Sequence, residues 1–191
     1  MMDRHPVFDT IMARRSIRSF TDKPVSREDI SILLKAAMAA PSACNLQPWA
    51  FIVVDEPSTL EKVRATLTQG HYNAPAVIVV CGISKHIPWD GDGWMQDCGG
   101  AAQNIMLEAV ELGLATVCVG GFEENELKEV LNIPEDVMPM CVIELGYGAY
   151  EREPLSRYTE EAAHWQSYDN EKPRTFRTLQ MLQDDIAAGI L

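Results

Sequence analysis

Three arginines, Arg14, Arg15 and Arg18, crowd into five residues of a chain that is otherwise strongly acidic, with the Ser16 hydroxyl between them. Guanidinium forks and a hydroxyl donor at that density suit one phosphate group. The cluster also reads as a solvated basic turn after a helix. A fourth arginine favours the phosphate: Arg157, in Pro154-Leu155-Ser156-Arg157, stands just after the final apolar run and could close on the same phosphate in bidentate fashion.

The stretch Ala40-Pro41-Ser42-Ala43-Cys44-Asn45-Leu46-Gln47-Pro48-Trp49 carries chemistry of a different kind. It ends a helical pattern and begins a strand. Its two prolines restrict the residues before them, while Ser42, Asn45 and Gln47 offer groups that both donate and accept hydrogen bonds. A rigid loop of uncharged hydrogen bonders suits a planar, polar heterocycle.

Other candidates fail on spacing. Asp90-Gly91-Asp92-Gly93 begins like a calcium loop, but Met95 and Ala101 occupy positions that need glycine and a bidentate glutamate. Gly146-Tyr147-Gly148 lacks the third glycine of a dinucleotide fingerprint, because Glu151 stands there. His5, His71, His86 and His164 show no metal-ligand spacing, so no metal is expected. Cys44, beside the polar loop, reads as a small packing residue or as a reactive thiol.

The 28 acidic and 16 basic residues leave a net charge of −12, which repels a polyanion and argues against nucleic acid. The five cysteines lack Cys-x-x-Cys spacing and mostly sit in apolar runs, as reduced core residues of a cytoplasmic protein do. No apolar stretch approaches the roughly 20 residues that span a bilayer, and the first six residues lack a signal-peptide core. A soluble, unexported protein with no membrane partner is expected.

The elements that must position these groups follow from periodicity. Pro6 starts a short helix through Val7, Phe8, Ile11 and Met12, and Ser26-Arg27-Glu28-Asp29 caps a second that runs to the polar loop. Ser58-Thr59-Leu60-Glu61 reads as the cap of a third. A helix from about Asp97 to Leu112 presents the small residues Gly99-Gly100-Ala101-Ala102 and stops at Gly113. Strands are expected at 51–54, 76–81, 115–119 and 140–145, with a short helix at 127–131 before the last. Four strands separated by helices give an α/β or α+β sandwich. Residues 84–94, with two tryptophans, read as a lid, and the stripe Phe176, Leu179, Leu182, Ile186 and Ile190 reads as a helical arm.

Taken together and in order, residues 14–20 (Arg-Arg-Ser-Ile-Arg-Ser-Phe), 41–49, 97–105 and 113–121 resemble the nitroreductase family of FMN-dependent NAD(P)H oxidoreductases. The resemblance spans about residues 5 to 165. It implies an α+β fold, a three-layer sandwich with a mixed β-sheet flanked by helices, closed as an intertwined homodimer with one FMN in each of two interface pockets. Residues 1–169 would form the single FMN-binding domain; beyond the resemblance, the apolar stripe makes residues 170–191 a helical arm packing on the dimer, against its own domain or the partner subunit.

By the same resemblance, Arg14 and Ser16 with Arg157 would hold the phosphate. Arg15 would lie against the flavin edge or ribityl chain, and Arg18 near the N1/C2 edge, where a fixed cation stabilises charge without reorganising. Pro41, Ser42, Ala43 and Asn45, supported by Gln47, would come from the partner subunit. Val119, Gly120 and Gly121 would offer backbone at flavin N5. Trp49 is expected in the core. The chain departs from the family pattern at Gly120, where some members carry glutamate, and at Leu155, where many carry lysine.

The implied activity is ping-pong electron transfer from NADH or NADPH to a nitroaromatic, quinone or other small electron-poor acceptor. No side chain is required as acid, base or nucleophile. A non-catalytic flavin store and a specialised reaction such as reductive dehalogenation are the alternatives.

Overall fold

Local capping and strand alternation set the elements of the structure, a computed structural model that describes residues 5–84, 93–173 and 177–187. Helix α1 spans Pro6–Ala13, with the proline in its first turn. Helix α2 spans Arg27–Met38, and its N-cap Ser26 Oγ accepts from the Asp29 N–H at 3.0 Å. Strand β1 is Trp49–Val54, α3 is Pro57–Ala65, β2 is Ala76–Ile83 and α4 is Trp94–Glu111. Strand β3 (Ala115–Val119), α5 (Glu124–Leu131), β4 (Val137–Gly146) and α6 (Leu179–Ala187) complete the order. Gly113 takes φ +68° just beyond α4, the left-handed exit expected there.

The cap of α3 differs from expectation. Glu56, not Ser58, is the N-cap: its carboxylate accepts from the N–H groups and hydroxyls of Ser58 and Thr59, with Pro57 at the first helical position. Pro57 has no N–H to satisfy, so the helix starts earlier than a Ser58 cap would allow.

The strands pair in the order β1-β2-β4-β3, and all three pairings are antiparallel. The α/β alternative is thereby excluded. Parallel character among the described residues is confined to the isolated bridge between Ser16 and Thr116. Alternation then divides the core. Ile78, Val80, Cys141, Ile143 and Leu145 face α2 and α4, meeting Leu33, Ala37, Cys98 and Ile105. Val77, Val79, Cys81 and Val142 face α3 and α5, meeting Leu60, Val63 and Leu127. The result is the expected three-layer sandwich. Its central strand β2 is buried on both faces, and each fully buried aliphatic side chain there contributes about 1.5–3 kcal/mol relative to exposure.

Trp49 is half-buried and packs against the α2/α4 side of the core. Cys81, Cys98 and Cys141 are buried, but Cys44 and Cys118 are exposed, so the core reading holds for three of the five thiols. Helix α1 buries no residue, and Val7, Phe8 and Ile11 are exposed. Among the described residues no helix is long and apolar enough to cross a membrane, and no cluster of His, Cys, Asp and Glu could hold a metal.

The chain forms two compact units, Met1–Leu155 and Ser156–Leu191. Within the second, Lys172 Nζ donates to the carbonyls of Glu160 and Ala163, and the His164 and Tyr168 rings stack 4.2 Å apart. Tyr158, Trp165 and Leu179 are exposed. Residues 85–92, which hold most of the expected lid, His86 and the start of the Asp90–Gly93 loop, lie outside the described residues, as do Phe176 and Ile190.

Candidate functional site

After α1 the chain becomes extended and follows the free edge of β3. The bridge between Ser16 and Thr116, with the Ile17 N–H donating to the Thr116 carbonyl at 3.1 Å, fixes this register. Ile17 and Phe20 turn inward, leaving Arg14, Arg15, Ser16 and Arg18 half-buried.

The three arginines meet different surroundings. Arg14 lies close enough to Cys118 to act on its thiol, which is lowered first by a hydrogen bond with Cys141 and then by the Arg14 charge. Arg15 donates to the Glu153 carbonyl and lines a cavity of about 420 Å³ together with Ile17, Thr116, Tyr150 and Arg152. The Arg18 N–H donates to Tyr150 Oη at 3.2 Å, and its guanidinium has no partner among the described residues. Arg157 is exposed and belongs to the second compact unit.

The polar loop is built differently. Cys44, Asn45 and Gln47 adopt φ of 50°, 56° and 48°, three of the five non-glycine residues with positive φ in the described chain. Each such conformation costs of order 1–3 kcal/mol, so this clustering marks a segment held in shape by its neighbours. Ser42 Oγ accepts from the Gln47 N–H at 3.0 Å, and Asn45 Oδ1 accepts from Gln47 Nε2 at 3.2 Å. The Ala43 N–H donates to both carboxylate oxygens of Asp97, at 3.1 and 3.2 Å. Pro41 and Asn45 are exposed, with Ser42 and Ala43 half-buried.

Beyond β3, Val119 is buried while Gly120 is exposed. A Cβ built on Gly120 would meet nothing within 4 Å among the described residues, whereas one built on Gly121 would stand 2.7 Å from Thr68 Oγ1 and 3.0 Å from Gln69 Nε2. Gly120 therefore leaves open space above the main chain, and Gly121 is glycine because Thr68 and Gln69 close over it.

Strand order separates these groups. The loop leads into Trp49, which pairs with Gly82 near the end of β2 on the β1 edge. Ser16 bridges Thr116, which pairs with Leu145 and through it with Ala76 at the start of β2, on the β3 edge. Arginine segment and polar loop thus occupy diagonally opposite corners of the sheet. Strand spacing and rise put those corners roughly 25 Å apart. The structure brings Arg14, Ser16 and Cys118 together; it does not bring them to Pro41–Gln47.

A sequence model of the Nitroreductase family matches residues 11–70 and 64–147. The chain belongs to the Nitroreductase family. A protein of Archaeoglobus fulgidus provisionally named NADH dehydrogenase/NAD(P)H nitroreductase is 44% identical over 149 residues, covering 75% of this chain and 86% of its own length. The FMN reductase [NAD(P)H] of Bacillus subtilis is 27% identical over 192 residues, covering 88% of this chain and 77% of its own. Among solved structures, a provisionally named NADH dehydrogenase/NAD(P)H nitroreductase of Bacteroides thetaiotaomicron superposes with a TM-score of 0.79 at 33% identity, over 86% of this chain and 99% of that one. This member of the Nitroreductase family is accordingly an oxidoreductase.

Four residues of structural weight escape sequence reading. Thr68 and Gln69 form part of an unremarkable polar connection between α3 and β2, and only the tertiary structure sets them on Gly121. Asp97 has a weak signal, an acid in the first turn of a helix, where the macrodipole favours it. Glu144 had a clearer one, a lone acid in an apolar strand. It is fully buried against Val117 and Val77, its Oε1 accepting from the Tyr72 N–H at 3.4 Å, and burial raises it to about 7. Its Oε2 and the nearby Arg64 Nε are buried without a hydrogen-bond partner among the described residues.

Proposed function

We propose that this nitroreductase-family chain binds FMN between two copies of itself and passes electrons from NADH or NADPH to a small electron-poor acceptor such as a nitroaromatic or quinone. The observation that carries the reading is the diagonal separation of the arginine segment from the polar loop. Two half-sites on opposite corners of one chain become whole sites when two copies face each other.

The residues present fit the group. Arg14 and Ser16 hold its phosphate. Arg18, whose guanidinium is unpaired among the described residues, supplies a fixed cation at the ring's pyrimidine edge. Asn45 presents a hydrogen bond to the ring from the other copy, in the loop formed with Pro41, Ser42 and Ala43 and braced by Gln47. Val119, Gly120 and Gly121 bring main chain to the ring, with the open side of Gly120 leaving room for it. Arg15 already donates to the Glu153 carbonyl, so it reaches the ribityl chain by exchanging that partner. When bound, FMN supplies the ring that accepts hydride from the nicotinamide and returns electrons to the acceptor. The chain orients, polarises and shields, and needs no acid, base or nucleophile.

Purified protein should be yellow, release FMN on acid precipitation, bleach anaerobically with NADH or NADPH and recolour with a quinone. Protein that binds no FMN overturns the site. Protein that binds FMN but bleaches with neither nucleotide is a flavin store.

A further inference from the structure

The N-cap Gly93 and, within α4, Asp97, Gly100 and Asn104 form one stripe, because steps of four, three and four residues return to the same face. Every member meets the path from the end of α2 into the polar loop. Asn104 Nδ2 donates to the Ala36 carbonyl at 3.0 Å, beside the Ala39 N–H that the same carbonyl accepts at 3.2 Å in the last turn of α2. Cβ atoms built on Gly100 and Gly93 would stand 3.7 Å from Ala40 Cβ and 3.8 Å from Ala43 Cβ. Between them, the Asp97 carboxylate takes the Ala43 N–H.

Among the described residues, this is the single hydrogen bond that ties Pro41–Gln47 to the body of the protein. The others are internal to the loop: Asn45 N–H to Ser42 carbonyl, Leu46 N–H to Ala43 carbonyl, Gln47 N–H to Ser42 Oγ and Gln47 Nε2 to Asn45 Oδ1. Those bonds move with the loop; the bond to Asp97 does not. It also acts on the residue directly before the left-handed run begins at Cys44.

We propose that Asp97 is the positioning residue of the flavin-facing loop, pinning Ala43 so that Cys44, Asn45 and Gln47 keep their left-handed backbone and Asn45 keeps its amide aimed at the ring. The inference rests on the FMN reading above. Asp97 acts through the loop, and its carboxylate does not touch the ring.

The test compares wild-type protein with Asp97→Ala and Asp97→Asn by FMN titration, thermal unfolding and amide hydrogen exchange. Loss of a charge-assisted hydrogen bond predicts FMN binding about 10- to 100-fold weaker in D97A. D97N keeps one acceptor oxygen and should recover most of it. In the apo wild type the Ala43 amide should be protected, and in D97A exchange should rise across residues 43–47 while the rest of the core is unchanged. Wild-type FMN affinity in D97A overturns the proposal, as does unprotected exchange of Ala43 in the wild type, a result that holds even if D97A does not fold. Equal loss of FMN and of thermal stability in D97A and D97N also overturns it, by showing a general structural role. If the wild type itself takes no FMN, all three proteins fail alike; the function reading then falls and carries this one with it.

Discussion

The Thr68 N–H donates to the Gly121 carbonyl at 3.0 Å, and two residues away the Glu123 N–H donates to the Thr66 carbonyl at 2.8 Å. This short antiparallel contact, with Leu67 bridging Phe122, sets the connection after α3 directly on the turn that follows β3. The two adjacent glycines of that turn therefore have separable jobs.

Gly121→Ala should lower stability by about 1–3 kcal/mol, because the new methyl meets Thr68 Oγ1 at 2.7 Å. Gly120→Ala should leave stability within about 0.5 kcal/mol, since nothing lies within 4 Å, yet weaken FMN binding. Urea unfolding of the apo proteins and flavin titration separate the two effects. Unchanged FMN affinity in G120A would remove the ring from above that residue.

The proposed sharing of the site between two copies makes a stoichiometric prediction. Arg14→Ala and Asn45→Ala should each abolish FMN retention, but co-refolding them should restore it in about a quarter of all sites, because each mixed dimer carries one site with both halves intact. Flavin absorbance per subunit reads the result. Absence of any recovery would place both halves of the site on one chain.

Arg18→Ala should slow flavin reduction by about tenfold or more while changing FMN affinity only a few-fold, since a fixed cation at the ring edge matters most once negative charge arrives. Stopped-flow reduction set against titration is the measurement. Equal losses in both would assign Arg18 to binding alone.

Burial raises Glu144 from 4.5 to about 7, so the folded state holds its proton over a range where the unfolded chain releases it. The unfolded state binds fewer protons between about pH 4.5 and 7, and this group's contribution to stability falls as pH rises through that window, then levels off. Glu144→Gln cannot lose a proton. Its stability relative to wild type should therefore improve by about 2 kcal/mol between pH 5 and pH 8, measured by urea unfolding at both.

Much of this fold is legible from spacing alone. Ser26 stands three residues before Asp29 and caps α2 as its pattern implies, Gly113 turns left-handed where a helix must stop, and the apolar run at 76–81 can only be a doubly buried strand. Glu56 is the instructive exception. A carboxylate beside Pro57 competes with Ser58 for the cap and wins, because it gathers two N–H groups and two hydroxyls at once, which holds it down at about 2. Strand order is not legible, because β4 inserts between β2 and β3 through contacts far apart in sequence. Without that order, the opposite corners held by Ser16 and Asn45 cannot be seen. Three departures into left-handed backbone within four residues are equally hidden, since neither Cys44 nor Gln47 favours them; the anchor proposed for them, Asp97, lies 54 residues from Ala43.

That distance has a consequence for how the molecule is made. The loop's own hydrogen bonds span at most five residues, but its tie to α4, at Ala43, reaches 54 residues ahead, and that of the α2 turn before it, at Ala36, reaches 68. Segments closed by such long loops order late. On a ribosome, α2 can form as soon as it emerges, while the loop must wait until β1, α3, β2 and the first turns of α4 have been synthesised. The polar loop, one half of the proposed flavin site, is thus among the last parts of the sandwich to take shape, after the central helix has docked.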